Sequence, residues 1–214
     1  MPGNPWYQVN TAAGMTSDED EALYQAYTRK ELTYTDWIKQ LNYFYKRAGR
    51  LTRPTLEAAL LAFDLAPGVQ EAVARLNTAY QTAIISGSFN LTAAAVGKIL
   101  GIRYTRACTD LEFNQNDEFV AIISRGEEKF AKLELFKELL VMLHINPEES
   151  FYVSDSLYDL PLLEAAAGGI LISKDTPEVS TGSLNSKIIT VKDWSEVEAV
   201  INELDKFKQE VESI

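Results

Sequence analysis

Phe151-Tyr152-Val153-Ser154-Asp155-Ser156-Leu157-Tyr158-Asp159-Leu160-Pro161 is the stretch from which the rest of the chain can be ordered. A short apolar run, the length of one buried strand, stops at Asp155. A second carboxylate, Asp159, follows four residues on, and Leu160-Pro161 opens a helix. A carboxylate at a strand end suits a hard cation, with Asp159 near enough to orient its waters. The plainer alternative is that Asp155 or Ser156 caps the helix at Leu160.

Strand and helix alternate on both sides of this stretch. Upstream, Gly68 to Tyr80 has helical spacing, Thr82 to Ile85 is a short apolar strand, and Asn90 to Leu100 is a helix ended by Gly101. Thr105 to Phe113 and Phe119 to Ser124 read as a hairpin or flap, and Glu128 to Leu143 as a long helix. Downstream, Leu160 to Ala166 is a short helix, Gly169 to Ile172 and Lys187 to Val191 are strands, and Ser195 caps a terminal helix. Such alternation predicts an α/β fold, a parallel sheet covered by helices on both faces. Residues 17–63 break the pattern. They hold consecutive amphipathic helices, with Trp37, Leu41, Phe44 and Tyr45 at helical spacing in the second. The expected organisation is a leading segment over 1–15, a helical insertion over 16–66 and an α/β core over 67–214.

The 214 residues carry 20 Lys plus Arg against 31 Asp plus Glu, a net charge of −11. That balance argues against a nucleic-acid partner, whose phosphates are held by clustered Lys and Arg. One cysteine and one histidine cannot build a Cys/His zinc site, which leaves Mg2+ as the first metal candidate. No run is long and apolar enough for a membrane span, and the N-terminus does not read as a signal peptide, so the expected location is cytoplasmic.

Two other stretches carry chemistry. In Thr82-Ala83-Ile84-Ile85-Ser86-Gly87-Ser88-Phe89-Asn90 a strand delivers a hydroxyl and a glycine into a turn, and a helix begins at once. Ser86 can donate to an anionic oxygen, Gly87 allows close backbone approach, and the helix N-terminus favours negative charge. A turn with Asn90 as helix cap accounts for the same residues. Gly126-Glu127-Glu128-Lys129-Phe130-Ala131-Lys132 starts the long helix. Cations there run against the helix dipole, which suggests an anion nearby, although solvated lysines are commoner.

Together these pieces resemble the haloacid dehalogenase-like (HAD) phosphatase superfamily, in its phosphoserine-phosphatase-like branch. Ser86-Gly87-Ser88-Phe89 is similar to the second motif and Lys132 to the third-motif lysine. Ser154-Asp155-Ser156-Leu157-Tyr158-Asp159 is similar to the fourth, and the helices over 17–63 match the cap inserted in this branch. The resemblance implies a Rossmann-like core and a Mg2+-dependent phosphomonoesterase acting on a small phosphorylated metabolite through an aspartyl-phosphate. It assigns Ser86, Gly87 and Ser88 to phosphate oxygens and Lys132 to charge neutralisation. Asp155 is assigned to Mg2+, with Asp159 supporting it.

The first motif of that family, Asp-x-Asp-Gly-Thr at the end of a central strand, does not occur in the 214 residues. Asp18-Glu19-Asp20 has the spacing but follows Thr16-Ser17, a helix-capping pattern. Aligning the cap places the nucleophile, and its strand, upstream of Met1. The branch's serine-gripping positions correspond here to Leu41 and Asn4, which form no such ion pairs, and Tyr158 replaces a common Asn. The alternative is a non-catalytic module that binds a phosphorylated ligand or a protein partner. The sequence does not specify an oligomeric state.

Overall fold

The structure, a computed structural model, describes residues 5–49, 51–60, 64–173 and 188–212. In chain order the helices and strands are α1 (Pro5–Ala12), α2 (Ser17–Thr28), α3 (Tyr34–Ala48), α4 (Arg53–Leu60), α5 (Val69–Ala79), β1 (Ala83–Phe89), α6 (Asn90–Leu100), β2 (Tyr104–Phe113), β3 (Phe119–Ser124), α7 (Glu128–Leu143), β4 (Phe151–Ser154), α8 (Leu160–Ala165), β5 (Gly168–Ile172), β6 (Ile188–Val191) and α9 (Trp194–Glu212). They fall into two compact units: Met1–Asp64 with Ala83–Ala131, and Leu65–Thr82 with Lys132–Ile214. Helix α7 begins in the first and continues in the second.

In the first unit, local signals set the helices. Thr16 and Glu19 form a capping box at α2, with the Thr16 N–H donating to Glu19 Oε2 at 2.8 Å and the Glu19 N–H to Thr16 Oγ1 at 3.3 Å. Thr33 accepts the Asp36 N–H at 3.1 Å to start α3, and Gly49 at φ 60° ends it in the left-handed conformation that glycine adopts without strain. One face of α3 buries Trp37, Ile38, Leu41 and Tyr45 in a core shared with Val9, Leu56, Leu60, Phe89, Leu111 and Ile122. Helix α1 goes beyond the expectation of a leading segment: Pro5 fits its first turn, and Val9 and Asn10 are buried.

Strands β1, β2 and β3 form a sheet in that order. Strand β1 was expected to end at Ile85 but runs to Phe89, because Ser86 pairs with Ala107 and Phe89 with Thr109 of β2. The expected flap is more firmly tied than a hairpin. The first half of β2 pairs parallel with β1, from Ala83↔Tyr104 to Ser86↔Ala107, and only its second half pairs antiparallel with β3. Asn42 on α3 covers the outer edge of β3, accepting the Ile122 N–H at 2.8 Å and donating to the Ile122 carbonyl at 3.2 Å.

The second unit holds a wholly parallel sheet, β4-β5-β6, with Val153 opposite Ile170 and Ile170 opposite Ile189. Its central strand buries Gly168, Gly169, Ile170 and Leu171, as a strand covered on both faces should. Leu76, Ile170, Val191, Val197 and Ile201 form the core, and Arg75 pairs with Glu198 between α5 and α9. The α9 cap is Asp193 rather than Ser195. Its carboxylate accepts the Ser195 N–H at 2.8 Å, so the helix starts two residues earlier than the sequence suggested. Among the described residues the strands therefore form two three-stranded sheets, with β1 at an end of one and β4 at an end of the other.

Candidate functional site

Strand β4 and the loop after it build the more elaborate strand end. Tyr152 and Ser154 are two residues apart and so share a face of β4. Beyond Ser154 the chain enters a single 3-10 turn, Leu157–Asp159, capped by Ser156 Oγ, which accepts the Tyr158 N–H at 3.2 Å. This turn brings the Asp159 carboxylate back over β4. Ser154 Oγ donates to Asp159 Oδ2 at 2.8 Å and accepts the Ser156 N–H at 3.1 Å. Tyr152 donates its hydroxyl to the same oxygen at 3.4 Å.

Lys132 completes the cluster, its ammonium donating to Asp159 Oδ1 at 2.9 Å and Oδ2 at 3.1 Å. The lysine is 8% exposed and the aspartate 4%, so this is a buried ion pair with its hydrogen bonds supplied. Charges withdrawn from water persist only when paired in this way. Asp155, at the strand end itself, is exposed, as are Leu157 and Tyr158 around it. The structure thus brings together Lys132 and Asp159. The Asp159 carboxylate, expected to support a metal at Asp155, is engaged by Lys132, Ser154 and Tyr152. The roles of Tyr152 and Ser154 were missed in the sequence. Their two-residue spacing was the available signal, but nothing local says which carboxylate they face.

At the other strand end, Ser86 Oγ accepts the Ser88 N–H at 3.1 Å, which closes the end of β1 into a turn. The β1–β2 register slips between Ser86 and Phe89. Helix α6 then begins with Phe89 at its cap position, where no side-chain oxygen is available. Asn90 lies inside the helix rather than capping it. Its Oδ1 accepts the Leu91 N–H at 2.9 Å and the Leu111 N–H at 3.2 Å, tying the helix start to β2. The buried hydroxyls Ser88 Oγ and Thr92 Oγ1 have no hydrogen-bond partner. A helix start without a side-chain cap, next to hydroxyl donors, is chemically suited to an anion.

Mg2+ is commonly held by one or two carboxylates together with waters and substrate oxygens. Asp155 fits one such ligand, exposed at a strand end. Among the described residues no group of three or more His, Cys, Asp or Glu side chains could hold a metal by itself. A shallow groove of about 410 Å³ along α2, lined by Asp18, Glu21, Gln25, Arg29 and Glu31 among others, contains none of Ser86, Gly87, Ser88, Lys132, Asp155 and Asp159.

A family model described as haloacid dehalogenase-like hydrolase matches residues 8–167. The chain belongs to the haloacid dehalogenase-like hydrolase family. No curated protein shows significant sequence similarity to it. Among solved structures, a HAD family hydrolase from Salmonella enterica serovar Typhi is 22% identical with a TM-score of 0.66, over 83% of this chain and 59% of that one. The chain thus spans about three fifths of that relative's length. A substrate-bound phosphoserine phosphatase is 18% identical with a TM-score of 0.62, over 89% of this chain and 87% of the other. A protein of unknown function from Bordetella pertussis Tohama I is 20% identical with a TM-score of 0.65, over 89% and 90%. At these identities the likeness is one of fold: an α/β HAD-like architecture shared with phosphoserine phosphatases.

Proposed function

We propose that this HAD-like hydrolase is a Mg2+-dependent phosphomonoesterase acting on a small phosphorylated metabolite. The observation that carries the reading is the buried Lys132–Asp159 pair beside the exposed Asp155 at the end of β4. A lysine held rigidly out of water is an efficient counter-charge for phosphoryl oxygens, and phosphoryl transfer depends chiefly on such positioning and charge stabilisation. In this reading Lys132 neutralises phosphate charge and Asp159 positions Lys132. Ser86 and the Gly87 and Ser88 backbone hold phosphate oxygens, and Asp155 ligates the metal. When bound, Mg2+ would supply Lewis-acid stabilisation of the phosphoryl group.

The nucleophile would be the aspartate of the Asp-x-Asp motif, contributed from upstream of Met1, forming an aspartyl-phosphate that water hydrolyses. The metabolite would not rely on the phosphoserine grip, since Leu41 is buried and apolar where that branch has an arginine. A cytoplasmic location is consistent with the absence, among the described residues, of a helix long and apolar enough to cross a membrane. The test is a form extended upstream through an Asp-x-Asp-Gly-Thr strand, assayed against generic phosphomonoesters with and without Mg2+. Mg2+-dependent turnover that Asp155→Asn abolishes is expected. Turnover indifferent to Mg2+ or to Asp155→Asn would refute it.

The second reading, a non-catalytic phosphate-binding or partner-binding module, is favoured by the lack of Asp-x-Asp-Gly-Thr within the 214 residues. Phosphate binding by the 214-residue chain, together with an extended form that never turns over any phosphoester, would select it.

A further inference from the structure

The turn at the end of β1 already has a carboxylate against it. Gly87 has no side chain, and the space a Cβ would take is filled by Glu128, the first residue of α7. A Cβ built on Gly87 would lie 2.0 Å from Glu128 Oε1, 2.1 Å from its Cδ and 2.6 Å from its Cγ. The carboxylate therefore packs directly on the glycine. Glu128 is also near enough to Tyr27 that its charge, with that of Glu127, adds to the burial that raises the Tyr27 phenol's pKa. Both carboxylates thus contribute negative potential on this side of the first unit.

A carboxylate in that position and a phosphate dianion are like charges competing for one small volume, and they repel. Glu128 is an exposed residue, and solvent lies within reach of its side chain. We propose that Glu128 is an internal competitor for phosphate at the Ser86–Phe89 turn. Seated on Gly87, it closes the turn to a dianion, and occupancy requires it to swing into solvent. The proposal rests on the reading of this turn as a phosphate cradle. Its consequence is discrimination between substrate and product. The organic part of a phosphoester brings binding energy that can displace Glu128, whereas inorganic phosphate has none to spend and is held weakly.

The experiment titrates inorganic phosphate into the 214-residue chain by calorimetry, with amide NMR shifts at Gly87 to Leu91 as the site-specific readout. Wild type, Glu128→Gln, Glu128→Ala and each of these combined with Ser86→Ala are compared at low and high salt. Both Glu128 variants are expected to bind phosphate about tenfold tighter than wild type, a difference of about 1.4 kcal/mol. Ser86→Ala should cancel the gain, and high salt should shrink it, because an exposed carboxylate is screened. Equal, Ser86-dependent affinity in wild type and both variants overturns the role of Glu128 and leaves the cradle intact. Binding that no variant shows, or that ignores Ser86, overturns the cradle and the competitor with it.

Discussion

Removing one partner of the Lys132–Asp159 pair tests whether the second unit is built around it. Asp159→Asn keeps the side-chain shape and an oxygen for Ser154 and Tyr152, but it removes the charge that balances the ammonium. Lys132, 8% exposed, then loses the anion whose two oxygens lay 2.9 and 3.1 Å from its Nζ. Breaking a buried pair from one side costs about 3–5 kcal/mol. For a chain of this size that is a fall in Tm of roughly 6–20 °C, at ~2–4 °C per kcal/mol. Removing the ammonium as well should restore much of the loss. Lys132→Met with Asp159→Asn has no unpaired charge and retains hydroxyl donors for the amide, so it should be more stable than Asp159→Asn alone. Urea titration followed by circular dichroism, with unchanged m-values as a control, measures both quantities. A loss under about 1 kcal/mol for Asp159→Asn, or a double variant weaker than the single by the sum of the two effects, would refute the reasoning.

Four further outcomes follow from contacts elsewhere. Asn42→Ala should strip the Ile122 N–H and carbonyl of their partners at the β3 edge. The expected cost is about 1–3 kcal/mol, with faster hydrogen exchange at the Ile122 amide as the local readout. Gly169→Ala places a Cβ 2.6 Å from the Leu163 carbonyl oxygen, a backbone atom that cannot step aside, and should cost about 1–3 kcal/mol by thermal unfolding. The three atoms nearest a Cβ at Gly87 all belong to the flexible Glu128 side chain, so Gly87→Ala should cost less, and less still in a Glu128→Ala background. At alkaline pH, burial and then the charge of Asp20 hold the Tyr45 phenol well above its ordinary value of 10.0. A raised folded pKa gives stability that is whole below pH 10.0 and lost as pH climbs toward the folded value, so stability should fall above pH 10 and fall less in Tyr45→Phe.

Much of this molecule was legible because its signals are local. Thr16 with Glu19, and Thr33 with the apolar stripe Trp37, Leu41 and Tyr45, specify their helices within a few residues. The alternation of short apolar runs with helical spacing gave an α/β class that the structure shares with HAD-like neighbours. The strand-end carboxylate at Asp155 and the Ser86 turn could be found by the same local reading.

Everything that depends on which residue faces which came from tertiary structure. Lys132 and Asp159 are 27 residues apart, and no periodicity links them, yet they share one buried pair. Glu128 and Gly87 lie far apart in sequence, yet the glycine that read as an open approach for a ligand is a seat for a carboxylate. Strand β1 outran its apolar residues because its backbone groups found partners in β2. Covalent neighbours and spacing determine the elements and the residues able to do chemistry. Burial and long-range pairing decide which charges are balanced, and so which residues are held in place and which remain open to solvent.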